Sequence, residues 1–307
     1  GDSVSAFRAE SPLLDRIRDL PCENLLSIEQ VSKAASVHLS DKTKLKKSVI
    51  SPYLPWETTR QPAILSSRDP RSQGKDPVEE AIVRLVNAPK KVLDQDRVDR
   101  VTADTAKRLN EALDWSGTGG PRELSFEEAL FGVPGCLSSL ATDTSAGRPY
   151  VYFTNKRGKR ELVWHEDGEG RYNPHFKDHV MRTYQAVKRD EDYDVVFLGY
   201  MKDEVRSQTK IDNVATRITY ANDVTYTVVV RMLIGAMLGA FNRSFPETRY
   251  AIGINQNSYD AHKIYSIFRK TSKRMCAGDM KDYDYHYQRQ LMDASHLVIA
   301  ELCPFLP

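Results

Sequence analysis

The chain has 307 residues, 40% of them hydrophobic and 28% charged, with a formal net charge of +2 and a pI near 8.2. These are the values of an ordinary globular protein, and the length exceeds what one compact core usually serves, so two subdomains sharing a cleft are expected. No apolar stretch of signal-peptide length opens the sequence and no run of eighteen apolar residues occurs, which gives no support to a secretion signal or a membrane span.

In chain order, the first seventy residues are irregular and rich in Pro, Ser and Lys, with Pro52, Pro55, Pro62 and Pro70 breaking any long helix. They are expected to form an extended arm packed over another part of the protein. Asp76 as N-cap and Pro77 at the first helical position predict a helix over about 77–88. A second follows from Val98, Val101, Leu109, Ala112 and Leu113, ended by the loop 116–121. Ser125 and Glu128 form a capping box that opens a short third helix. Tyr150 to Phe153 and Glu161 to Trp164 read as strands around a turn at Gly158, and Phe176 to Lys188 as a helix. Asp194 to Tyr200 is expected as a buried strand ending at Lys202, with extended structure resuming at Arg217 to Tyr220. Asp223 caps a long core helix over Val224 to Phe241, whose Tyr226 and Arg231 argue against a membrane setting. Met275 to Met280 is expected as a strand presenting Asp279, and a helix over about 286–302 follows. The mixed order of elements indicates an α+β or α/β fold.

The chemistry concentrates in two places. Lys202, Arg206, Lys210 and Arg217 recur with three, three and six residues between them, a density of positive charge suited to a nucleoside triphosphate. Ion pairing with Asp203, Glu204 and Asp212 is the bland alternative. Asp279 and Asp284 then offer carboxylates for a hard divalent cation, and a triphosphate site followed by a metal site reads as nucleotidyl transfer. Further basic groups at 42–47, 156–160 and 263–274 suit a nucleic-acid channel on a near-neutral chain. Cys22, Cys136, Cys276 and Cys303 are widely separated, form neither a disulfide framework nor a zinc site, and point to a reducing compartment. His175 and His179 have helical spacing but no zinc signature between them, and are expected as a surface pair.

The basic and acidic motifs and a third before them in the chain resemble, in order, those of the RNA-dependent RNA polymerases of picornaviruses and their picorna-like relatives. Thr144-Ser145-Ala146-Gly147-Arg148-Pro149 is similar to the family's template-entry motif, with Arg148 in place of the usual tyrosine. Lys202-Asp203-Glu204-Val205-Arg206, with Lys210 and Arg217, resembles its basic finger motif. Asp279 and Asp284, separated by four residues that include Tyr283, resemble its first palm motif.

The resemblance implies an α+β fold, with fingers over 1–222 (an arm over about 1–75, then the motifs at 144–217) and the beginning of a right-hand palm over 223–307. It implies that Thr144 to Pro149 receive the template and that Lys202, Arg206, Lys210 and Arg217 grip the triphosphate. Asp279 would be catalytic as a ligand of Mg²⁺, or of Mn²⁺ in its place, and Asp284 would recognise the ribose 2′-hydroxyl. The implied partners are an RNA template and primer, ribonucleoside triphosphates, a small protein primer as one option, and the remaining palm and thumb. The implied setting is viral replication membranes in the host cytoplasm. The second palm motif and the Gly-Asp-Asp turn are not found before Pro307, so the chain alone is expected to be inactive. A non-catalytic RNA-binding or scaffold protein derived from the fingers is the rival reading. Gly1 is expected either to support the Asp279 strand or to be a cloning remnant.

Overall fold

The computed structural model describes residues 42–53, 55, 60–88, 91–154, 158–280 and 283–306, except the side chains of Val86, Asp284 and Tyr285. Gly1, Cys22 and most of the arm lie outside the described residues. The described chain forms two compact units, one of 42–88 with Phe197–Ala221 and one of 91–196 with 222–306.

In the first unit, β1 (Gln61–Pro62) leads to helix α1 (Pro77–Val86), which starts where Asp76 accepts a hydrogen bond from the Val78 amide. The pyrrolidine of Pro77 occupies the first helical position, where a missing N–H costs nothing.

The second unit begins with α2 (Gln95–Ala112) and α3 (Phe126–Phe131). The capping box at α3 forms in full, with the Glu128 amide bonded to Ser125 Oγ and the Ser125 amide to Glu128 Oε2. Arg122 grips the same carboxylate and holds its pKa down to about 2. A depressed carboxylate stabilises the fold fully above its ordinary 4.5 and loses that contribution as pH falls towards 2. Glu128→Gln should therefore cost about 1 kcal/mol near neutrality and flatten the acid limb of a melting-temperature profile between those two values; the pair is partly exposed, so screening keeps the figure small. An unaltered acid limb would show that the cap does not depend on the charge.

Antiparallel strands β2 (Val163–Glu166) and β3 (Glu169–Tyr172) join through Asp167 and Gly168, both at positive φ, the geometry of a tight hairpin turn. The expected hairpin around Gly158 is thus displaced. Tyr150–Tyr152 is a turn of 3₁₀ helix instead of a strand, because the Tyr150 ring is drawn inward against Phe176, and the turn bonds Val151 N to Gly147 O and Phe153 N to Tyr150 O. Helix α4 (Pro174–Lys188) then starts at Asn173.

The chain returns to the first unit with β4 (Leu198–Met201), β5 (Val205–Arg206), α5 (Gln208–Asp212) and β6 (Ile218–Ala221). β4 pairs antiparallel with β6, and β5 with β1. The segment expected as a buried strand over 194–200 is largely exposed, with Val196 and Phe197 open to solvent, because β4 has one sheet neighbour among the described residues.

Helix α6 (Val224–Arg243) is the core of the second unit, starting at Asp223, whose carboxylate accepts from the Thr225 amide. Val224, Val228, Met232, Ala236 and Ala240 recur every four residues and are nearly inaccessible: the first three cluster with Phe126, Leu130, Phe176 and Val180, Ala236 with Leu124 and Leu137, and Ala240 with Leu109 and Leu302. It is the one described helix long and apolar enough to cross a membrane, yet its apolar face is taken up by this protein core. Helix α7 (Tyr259–Thr271) has no buried residue. Short α8 (Tyr283–His286) and α9 (Arg289–Leu302) complete the unit, with α9 against α2.

Met275 to Met280 is not a strand. It is exposed and irregular, since an extended segment without a partner strand leaves its backbone groups to water.

Candidate functional site

The first unit builds a basic group around one carboxylate. Ala63 donates its amide to Glu204 O, β1 pairs with β5, and Ile64, Ile211 and Val214 form a small apolar cluster beneath. Thr216 Oγ1 donates to Ile64 O at 2.6 Å, and Arg84 donates to the Val214 and Thr216 carbonyls. These contacts turn the chain so that Lys202, Arg206 and Arg217 converge on Glu204, whose side chain is only 17% exposed.

Arg217 Nε donates to Glu204 Oε1 at 2.7 Å and a second guanidinium N–H bonds Oε2, giving a two-pronged contact. Arg206 donates to Oε1 at 3.1 Å and to Ala215 O at 2.9 Å, and Lys202 Nζ lies 3.5 Å from Oε2. Arg217's hydrogen bonds hold the Glu204 carboxyl below the usual carboxylate range, against burial, with Lys202 and Arg206 adding to the effect. The ion pairing weighed as the alternative is thus present for Lys202, Arg206 and Arg217, all on Glu204, and three cations on one anion leave the group net positive. Lys210 sits on α5 and joins none of these pairs among the described contacts. Asp203 is occupied elsewhere, accepting from Thr43 Oγ1 and the Lys44 amide, both at 2.7 Å.

The second unit holds the loop Thr144 to Pro149. Ala146 is buried and its carbonyl accepts from the Val224 amide, while Ser145 Oγ accepts from the Gly147 amide. Gly147 has φ +71°, and a Cβ there would stand 2.1 Å from Asn222 O. Arg148 is exposed. The Tyr150 hydroxyl lies 2.6 Å from His179 Nδ1 and 3.0 Å from Thr225 Oγ1, and burial pushes its pKa up to about 12. His179 is therefore engaged in the loop's support, while His175 is exposed. Asp223 accepts from the Tyr193 hydroxyl at 2.5 Å and from the amide of Thr225, whose Oγ1 meets Tyr150, so the α6 cap and Tyr150 share one polar network.

Asp279 lies exposed in the irregular segment before α8, and the backbone of Asp284 lies within α8. Among the described residues no group of three or more His, Cys, Asp or Glu side chains is placed to hold a metal ion. A hard divalent cation takes about six oxygen ligands. The described side chains therefore do not by themselves form the metal site expected at Asp279.

Two residues of weight escaped sequence reasoning. Glu204 reads in the sequence as one of three competing acids, and nothing local singles it out as the hub. Lys159 reads as one of a basic run, yet it is buried.

Residues 48–307 match the family model described as viral RNA-dependent RNA polymerase. The genome polyprotein of human rhinovirus A serotype 89 is 31% identical over 70% of this chain, and that of poliovirus type 3 is 28% identical over 68%. The chain spans 9% and 8% of those polyproteins. A solved sicinivirus 3Dpol RNA-dependent RNA polymerase matches 80% of this chain with a TM-score of 0.59 and 21% identity, and the match covers 47% of that polymerase. The α+β fold is therefore that of a right-hand polymerase. The chain belongs to the viral RNA-dependent RNA polymerase family, and its relatives named above are picornavirus polyproteins.

Proposed function

We propose that the chain handles template and nucleotide in an RNA-directed RNA polymerase that acts by nucleotidyl transfer. The observation that carries this reading is the convergence of Lys202, Arg206 and Arg217 on Glu204 in a chain of this family. Such transfer depends mainly on positioning and charge neutralisation, which fixed cations supply. Lys202, Arg206, Lys210 and Arg217 bind the triphosphate, and Thr144 to Pro149 receive the RNA template, with Arg148 contacting a phosphate. Asp279 contributes one carboxylate to a site for Mg²⁺, or for Mn²⁺ in its place, that needs further ligands. Asp284 recognises the ribose 2′-hydroxyl. The partners are an RNA template, a primer and ribonucleoside triphosphates.

The central role of Glu204 allows a test that separates geometry from simple charge. Glu204→Gln raises the net positive charge by one, so charge counting predicts tighter nucleotide binding. If Glu204 instead holds the cations in register, KM for a ribonucleoside triphosphate in the complete polymerase should rise about fivefold, the scale of one hydrogen bond's net contribution. A lowered KM would refute the arrangement. Asp284→Asn should mainly erode the preference for ribo- over deoxyribonucleotides, because a hydrogen-bonding site discriminates by leaving its polar groups unpaired with the wrong sugar. An unchanged preference in single-nucleotide incorporation would remove that role.

A further inference from the structure

Lys159 lies in a run of basic residues, where direct contact with nucleic acid is the obvious reading, but its surroundings leave it nothing to offer a phosphate. The residue is 5% exposed. Its Nζ lies 2.5 Å from Thr144 Oγ1, 3.2 Å from Thr144 O and 3.3 Å from Ala141 O. An ammonium has three donors, and three acceptors from one four-residue stretch meet them. The Lys159 amide also donates to Thr142 O at 2.7 Å, so backbone and side chain grip the same segment. Burial depresses the lysine's pKa, with Asp143 opposing the shift. A cation that deep persists only if its hydrogen bonds are complete.

The grip falls at the first residue of the loop Thr144 to Pro149, whose middle hangs on α6 through the bond from the Val224 amide to Ala146 O. Resting on the reading of this loop as template-receiving, we propose that Lys159 is a positioning residue: it clamps the loop in its receptive shape and touches no RNA itself. The exposed Arg148 is left to meet the phosphate backbone.

Salt dependence distinguishes the two roles, because a side chain that neutralises one phosphate of a single strand contributes about 0.7 to the slope of log affinity against log salt. The full chain is titrated with a fluorescein-labelled single-stranded RNA dodecamer over a series of salt concentrations. Lys159→Met should weaken binding about tenfold with the slope unchanged, whereas Arg148→Ala should lower the slope by about 0.7. A slope lowered by about 0.7 in Lys159→Met, or an affinity equal to wild type, would overturn the proposal. Should Lys159→Met fail to fold, Thr144→Val removes one acceptor and spares the cation. It should weaken binding about threefold at constant slope, and a wild-type affinity would again overturn the clamp.

Amide exchange without RNA keeps this result separate from the template reading. Exchange at residues 144–147 should be about tenfold faster in Lys159→Met, with α2 and α9 unchanged. Unchanged exchange at 144–147 overturns the clamp even if RNA binding falls. If the wild-type chain fails to bind RNA while loop exchange responds as expected, the clamp stands and the template reading falls.

Discussion

Arg217→Ala should reduce kcat/KM for nucleotide incorporation by the complete polymerase roughly thirty- to a thousand-fold, the range of about 2 to 4 kcal/mol seen when a preorganised charge donor is removed from a reacting centre. The structure explains why the loss should appear in chemistry and not in folding. The Arg217 side chain is half exposed, and its contact with Glu204 is of the kind that contributes little to stability in water. Glu204 keeps Arg206 and Lys202 after the substitution, so no buried carboxylate is left unpaired. Arg217→Lys keeps the charge but loses the two-pronged contact, and should fall between wild type and alanine. Incorporation by Arg217→Ala within twofold of wild type, at equal thermal stability, would remove Arg217 from the nucleotide site.

Gly147→Ala should destabilise the second unit by about 2 to 4 kcal/mol, combining the cost of a left-handed backbone with that of forcing atoms into a filled space. The added Cβ would meet Asn222 O at 2.1 Å, Asn222 C at 2.6 Å and Asp223 N at 2.8 Å. All three are backbone atoms at the start of α6, so no side chain can swing aside. Gly168, also at positive φ, provides the control, since nothing lies within 4 Å of a Cβ built there. Gly168→Ala should therefore cost only about 1 kcal/mol. Urea unfolding measures both variants, and similar midpoints for the two would mean that the close approach of Gly147 to Asn222 does not matter for stability.

Helix starts were legible because their signals lie within one turn. Asp76, Ser125 with Glu128, and Asp223 each bond an amide two or three residues ahead, as their positions in the sequence predict. The capacity of α6 to form a core was equally legible, since its apolar residues recur at helical spacing. Strands were read less well, because a strand is completed by a neighbour the local sequence does not name. The hairpin expected at Gly158 forms at Gly168, and Met275 to Met280 has no strand pairing among the described residues. The family motifs were visible in residue types and spacing, but their internal wiring was not.

The sequence by itself determined the family, most of the long helices (α7, Tyr259–Thr271, was not read) and the order of the basic and acidic motifs, because these rest on residue identity and on contacts within a few positions. Only the tertiary structure decided which charges act outward and which are consumed within the fold. Glu204 reads in the sequence as one of three acids beside the basic set, and Lys159 as one of a basic run facing nucleic acid. Their partners reach them through chain reversal: Arg217 returns across α5 to Glu204, and the Thr144 segment folds back onto Lys159. Burial then makes each hydrogen bond obligatory, since a charge withdrawn from water must be met by other groups, and local sequence does not specify where those groups will lie.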